Sequence, residues 1–130
     1  MIFVKLTNGF GNNLFQYIAG RLLAEHHNSK LILIAPSNSY YGIADLKNIG
    51  LKYDAIQTQI DQSNFEIITD NNYNTAYNND LKNTPLLLDG YFEDYKYFYD
   101  NIEKIKTWFP IEKKRSNNDL VVQIRLGDRL

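Results

Sequence analysis

Gly9 and Gly11 stand in NGFGNN, after the apolar run IFVKL (Ile2–Leu6) and before a helical repeat of apolar residues. A strand, a tight turn and a helix start leave backbone N–H groups facing outward at one point. Such groups attract an anion, phosphate above all. Further along, Arg125 closes the run LVVQIR and is followed by Leu126, Gly127 and Asp128. A guanidinium there can grip a phosphate through two parallel N–H bonds, with Asp128 bracing it or a neighbouring group. Plain structural roles compete: the glycines also suit an ordinary turn, and Arg125 with Asp128 an ordinary surface ion pair.

The glycine pair does not extend to a dinucleotide fingerprint. That motif wants a third glycine where helix and strand pack, and an acidic residue about 20 positions on for the ribose hydroxyls. Leu14 holds the first place and Ile34-Ala35-Pro36 the second, which argues against NAD and FAD. A P-loop ends in Lys followed by Ser or Thr, and none follows here. A phosphate-bearing ligand of another kind is what remains.

The elements that must position these residues are readable from periodicity. Asn13 suits a helix N-cap, with Gln16 completing a capping box. Leu14, Phe15, Ile18, Leu22 and Leu23 then carry a helix to about His27. Lys30–Ile34 is a short apolar run, as expected of a strand covered on both faces. Pro36–Gly42 reads as loop, followed by a short helix near Ala44–Ile49 and strands near Ala55–Gln59 and Asn64–Thr69. Asp70–Asn83, poor in apolar residues, reads as an exposed loop. Pro85–Gly90 is a buried strand ending in a turn. Tyr91, Tyr95, Phe98, Ile102, Ile105 and Phe109 fall three or four apart and predict one continuous apolar helix face. Pro110 stops that helix. Glu112–Asp119 is a polar connector, and Leu120–Arg125 a last strand.

Strands alternating with helices predict an α/β fold, a Rossmann-like parallel sheet with right-handed crossovers. Ligands of such sheets sit beyond the carboxyl ends of the strands. The loops Thr7–Asn12, Ala35–Tyr41, Asp89–Phe92 and Leu126–Leu130 therefore share one edge, and the two glycine-bearing segments converge there.

Composition narrows the classes. A chain of 130 residues holds one domain's worth of core. A net charge of −1 supplies no basic field, so nucleic acid is not an expected partner. Without cysteine there is neither a disulfide framework nor a thiolate metal site. No Asn stands two residues before Ser or Thr, so no glycosylation acceptor exists. No apolar run approaches the ~18 residues of a transmembrane segment, and no cationic leader precedes the first strand. A soluble, cytoplasmic domain is expected, with peripheral membrane association left open.

Three segments, in order, resemble the α-1,2-fucosyltransferases, glycosyltransferase family 11. NGFGNNLFQYIAGRLLA is similar to that family's opening G-G-x-G-N-Q-x-F-Q-Y-x-x-G-R-x-L-A. LDGYFEDYKYF is similar to its central L-D-G-Y-F-Q-x-x-K-Y-F, and VVQIRLGD to its H-x-R-R-G-D motif. The departures are Asn8 for the first Gly, Asn13 for Gln, Gln123 for His and Leu126 for the second Arg.

The resemblance implies a GT-B fold of two facing Rossmann-like domains. Residues 1–119 would form the N-terminal domain, and 120–130 the first strand and motif of a truncated second, nucleotide-sugar-binding domain. It implies transfer of fucose from GDP-fucose to a hydroxyl of a galactoside-type glycan, with inversion and no metal; no D-x-D motif occurs. Arg125 would be the catalytic electrophile. Gly9, Gly11, Asn12, Gly127 and Asp128 would hold the donor phosphates, and Tyr40 and Tyr41 would contact the acceptor. No catalytic base is assigned. Asp89 reads better as a carboxylate capping its own turn, His26 and His27 as cations at a helix C-terminus, and Tyr91 and Tyr95 as core. Two other readings stay open. One is a non-catalytic sugar- or protein-binding α/β module, a glycosyltransferase remnant. The other is an unrelated nucleotide-binding α/β domain, which would bind GDP without preferring fucose.

Overall fold

The computed structural model describes residues 1–7, 9–35, 49–81 and 84–109. Strand β1 (Ile2–Lys5) leads through a turn into helix α1 (Phe10–His26), and strand β2 (Leu31–Ile34) follows. Beyond come β3 (Ala55–Gln57), a 3₁₀ turn, β4 (Glu66–Ile68), helix α2 (Tyr73–Asn78) and β5 (Leu86–Leu88). Two 3₁₀ turns, Tyr95–Tyr97 and Tyr99–Asn101, then lead into helix α3 (Ile102–Trp108). The strands form one all-parallel sheet in the order β3-β2-β1-β5-β4. The expected α/β class with a parallel sheet is therefore observed, and β1 lies at its centre. Ile2 faces Leu31 on one side and Leu86 on the other.

The order of the strands explains which face each connection takes. The steps β1 to β2 and β4 to β5 run in the same direction across the sheet, so crossovers of one hand must pass over the same face. Residues of α1 and α2 accordingly share one apolar cluster with Ile2, Val4, Leu33, Ile68 and Leu88, and Phe98 and Ile105 join it. The step from β3 to β4 runs the opposite way and must pass over the other face. Ile60 and Phe65, on that connection, pack there against Phe3, Ile32, Ile34 and Leu87. Phe3 and Phe65 meet edge to face at 4.8 Å. Because both faces are covered, β2 is buried at all four positions, in keeping with its unbroken apolar sequence.

Helix α1 is enclosed on more than one side. Gly20 lies so close to β1 that a Cβ would fall 2.1 Å from the Val4 Cγ2. On another side α3 and the 3₁₀ turns before it close over it: the Arg21 guanidinium stacks on Trp108 at 4.0 Å, and Phe15 stacks on Phe98. Glu25 receives Arg21 Nε and Lys104 Nζ, each at 2.8 Å. Burial alone would raise the Glu25 carboxyl. The hydrogen bonds from Lys104 and Arg21, with their charges, outweigh burial and hold it below its ordinary 4.5.

Two expectations are corrected. Asp70–Asn83 is not simply an exposed loop, because α2 forms within it and Tyr73 is buried. The Tyr73 hydroxyl donates to the Ala19 carbonyl at 2.8 Å, and burial pushes its pKa up, so it stays a donor. Nor do residues 91–109 form one helix. Phe92 takes a left-handed φ of 54° and the chain turns twice as 3₁₀ before α3 begins. Of the residues expected on its apolar face, Phe98 and Ile105 are buried, whereas Tyr91, Tyr95 and Ile102 are exposed. The short helix expected near Ala44–Ile49 and the strand Leu120–Arg125 fall largely or wholly outside the described residues.

Gly20→Ala should overpack the α1–β1 contact and lower unfolding free energy by about 1–3 kcal/mol, measured by urea denaturation. The lowered Glu25 value makes its contribution present above the ordinary 4.5 and lost as pH falls through the folded-state value. Glu25→Gln should therefore flatten the decline of stability between the ordinary 4.5 and that lower folded-state value. Urea titrations repeated from about pH 7 to about pH 3 would read this out.

Candidate functional site

The carboxyl edge of the sheet is where the turn after β1, the loop after β5 and the turn after β4 meet. Gly9 begins α1 with φ +94°, a conformation that only glycine adopts without strain. Its carbonyl accepts the Asn13 N–H at 3.1 Å, so the helix starts at Phe10 and the N–H groups of its first turn point out of the edge. No described neighbour lies within 4 Å of a Cβ built at Gly11, and Gly11 itself is exposed. Asn12 is half-buried beside it. Glycines in that state leave backbone open to close approach.

Asn13 is not the N-cap. Gly9 holds that position, and among the described residues no side-chain cap bond is made there, while Asn13 lies fully buried inside the first turn. Gln16, expected to complete a capping box, instead turns toward the sheet edge and is fully buried. Its Oε1 accepts the Thr7 N–H at 3.0 Å, and its Nε2 donates to the Thr7 hydroxyl at 3.1 Å and the Gly90 carbonyl at 2.8 Å. One amide thus ties the end of β1, the start of α1 and the loop after β5.

That loop, Asp89–Phe92, is held residue by residue. The Asp89 carboxylate meets Lys5 Nζ at 2.8 Å, with the two side chains 36% and 38% exposed. Gly90 is held through its carbonyl by Gln16. The Asp70 carboxylate, from the turn after β4, accepts the N–H of Tyr91 at 3.1 Å and of Phe92 at 2.7 Å. A Cβ on Gly90 would approach an Asp70 oxygen to 2.5 Å, so only glycine lets this carboxylate in. Tyr97 donates its hydroxyl to the Asp70 carbonyl at 2.6 Å. Burial first, then the charges of Asp70 and Asp94, raise the Tyr97 pKa and keep that proton in place. Phe92 drives its ring into the core, and its left-handed backbone costs on the order of 1–3 kcal/mol.

The expected site residues divide into two groups. Gly9, Gly11 and Asn12 lie at the edge as expected, next to the Asp89–Phe92 loop through Gln16. Arg125, Gly127, Asp128, Tyr40 and Tyr41 lie outside the described residues. Asp89 pairs with Lys5, and the capping of the turn falls to Asp70. Tyr91 and Tyr95 are surface residues and not core. His26 and His27 close α1 at the opposite end, with His26 stacked on Tyr77 and the His27 ring bonded to the Ala76 carbonyl. Gln16, Asp70 and Lys5 were missed from sequence. Asp70 and Lys5 each stand at the carboxyl end of a strand, which is the signal that could have found them.

Among the described residues no group of three or more His, Asp or Glu is placed to hold a metal ion. Among them, too, no helix is long and apolar enough to cross a membrane. Fold and site together define an α/β domain with a built loop cluster at the carboxyl edge of its parallel sheet. No protein-family model matches the chain, and neither a curated protein nor a solved structure is significantly similar to it.

Asp70→Ala should free the buried Phe92 N–H and remove the brace on its left-handed backbone. A loss of about 1–3 kcal/mol is expected, with faster hydrogen exchange at Tyr91 and Phe92 by NMR.

Proposed function

We propose that this chain is the N-terminal Rossmann-like portion of a GT-B glycosyltransferase that takes fucose from GDP-fucose to a galactoside-type glycan. The reading rests on the three segments that resemble the α-1,2-fucosyltransferases. The single observation that supports it best is the bond from Gln16 to the Gly90 carbonyl. It joins the first of those segments to the second across 74 positions of sequence, at the edge where parallel α/β sheets receive ligands. Two stretches picked out by one resemblance are thus neighbours in space.

Fucosyl transfer breaks the bond between fucose C1 and a β-phosphate oxygen. Positive charge develops on the sugar ring, as in other glycosyl transfers, and negative charge on the departing diphosphate. In this reading Arg125 and Asp128, with the backbone at Gly127, neutralise and orient the diphosphate. The N–H groups of Gly11 and Asn12, at the positive end of α1, face the same charge. A non-catalytic module would bind the same ligands without releasing fucose.

Calorimetry with GDP and GDP-fucose tests the reading. Both should bind the folded chain, and Arg125→Ala should abolish binding. Absence of binding to folded wild-type chain would remove the donor site from these residues. Where turnover is measurable, Arg125→Lys should lose most of the ~10²–10³ in rate that a fixed charge donor typically supplies, because an ammonium cannot form the two-pronged contact.

A further inference from the structure

Residues 89–92 are held from three directions, Asp89 by its side chain and the other three by their main chain, and the result is a specific presentation of side chains. β1 holds Asp89 through Lys5, α1 holds Gly90 through Gln16, and the turn after β4 holds Tyr91 and Phe92 through Asp70. Phe92 adopts a left-handed backbone, and its ring is fully buried between Tyr73 at 5.5 Å and Tyr97 at 6.4 Å. Its neighbour Tyr91 is left 54% exposed. Tyr95 and Tyr99 are more exposed still, but they sit on 3₁₀ turns and face each other. Tyr91 is the exposed aromatic side chain carried by the clamped, strained loop. Strain that is held in place by several independent contacts is characteristic of ligand-binding positions.

We propose that Tyr91 is a binding residue for a pyranose ring, with Asp89 and Lys5 supplying the polar contacts to that sugar's hydroxyls. An exposed phenol ring offers a negative face to the slightly positive C–H groups on one side of a galactose-like ring. Sugars also need donors and acceptors fixed beside the aromatic surface. The half-exposed Asp89 carboxylate and Lys5 ammonium, 2.8 Å apart, suit a vicinal diol: one hydroxyl donates to the carboxylate and its neighbour accepts from the ammonium. A guanine base can also meet the pair, with N1–H and N2–H on the carboxylate and O6 on the ammonium, which makes GDP the necessary second probe. The identification of this sugar as the acceptor rests on the proposed fucosyltransferase reading; the stacking site itself does not.

The experiment is calorimetry and saturation-transfer NMR on the full chain, with methyl β-galactoside as one probe and GDP as the other. Wild-type chain should bind the galactoside with transfer from tyrosine ring protons. Tyr91→Ala should weaken binding by about tenfold or more, the loss of a stacking contact, while Tyr91→Trp retains it. Melting temperature should not change in either variant, since the side chain is exposed, and GDP affinity should stay constant. Galactoside binding by Tyr91→Ala at wild-type strength would overturn the proposal, as would its absence from wild-type chain. A loss of GDP affinity in place of galactoside affinity would overturn it too, by giving the ring to the base. Galactoside binding through Tyr91 without any GDP binding would uphold this site and sink the donor-binding reading.

Discussion

Gln16 carries a primary amide with no access to water, and such a group is tolerable only when its donors and its acceptor are met. The partners that meet them come from Thr7, just past β1, and from Gly90, just past β5. Satisfying one side chain therefore fixes the spacing of two loops and the point where α1 leaves the sheet. Aspartate or asparagine would fall a methylene short, and leucine would leave the Gly90 carbonyl and the Thr7 N–H without partners. The carboxyl edge owes its shape to this requirement.

A second circuit supports the first from below. Tyr73 on α2 bonds to Ala19 in α1, packs against Phe92 and lies beside Tyr97 at 5.2 Å. Tyr97 returns to the Asp70 carbonyl, and the Asp70 carboxylate returns to Phe92. Rings supply apolar contact and hydroxyls supply hydrogen bonds, so the same tyrosines fill the core and satisfy the backbone at its rim. The Asp89–Phe92 loop is consequently part of the core's packing, with only Tyr91 and the Lys5–Asp89 pair turned outward.

Much of the scaffold was legible in the residues. The apolar runs of β1, β2 and β5 announced strands, that of β2 one covered on both faces, and the alternation with helices announced a parallel sheet. What escaped was decided by distant partners. Asn13 and Gln16 have the spacing of a capping box, but Gln16 gains more from Thr7 and Gly90 than from its own helix start. The run from Tyr91 has helical period, but Asp70 takes the N–H groups of Tyr91 and Phe92 and the chain turns first. Tyr73 sits in an Asn-rich stretch with no local sign of burial, because its partners are on α1 and in the β5 loop. Gly9 was legible because a turn between strand and helix is a local matter, whereas Gly11, read with it as part of the turn, lies in the first turn of α1. For Arg125, Gly127 and Asp128, the residues show the motif and nothing of its surroundings.

The central place of β1 has a consequence for how the protein is made. It is synthesised well before β5, yet one of its two edges must wait for that strand, and Lys5 for a partner 84 positions later. Until then an apolar strand has an open row of N–H and C=O groups, the template on which chains pair wrongly. Closing so distant a contact also slows folding. The nascent chain can build β1, α1 and β2 early, but the loop cluster at the carboxyl edge is assembled only when β5 arrives. The site and the seam between β1 and β5 therefore form together.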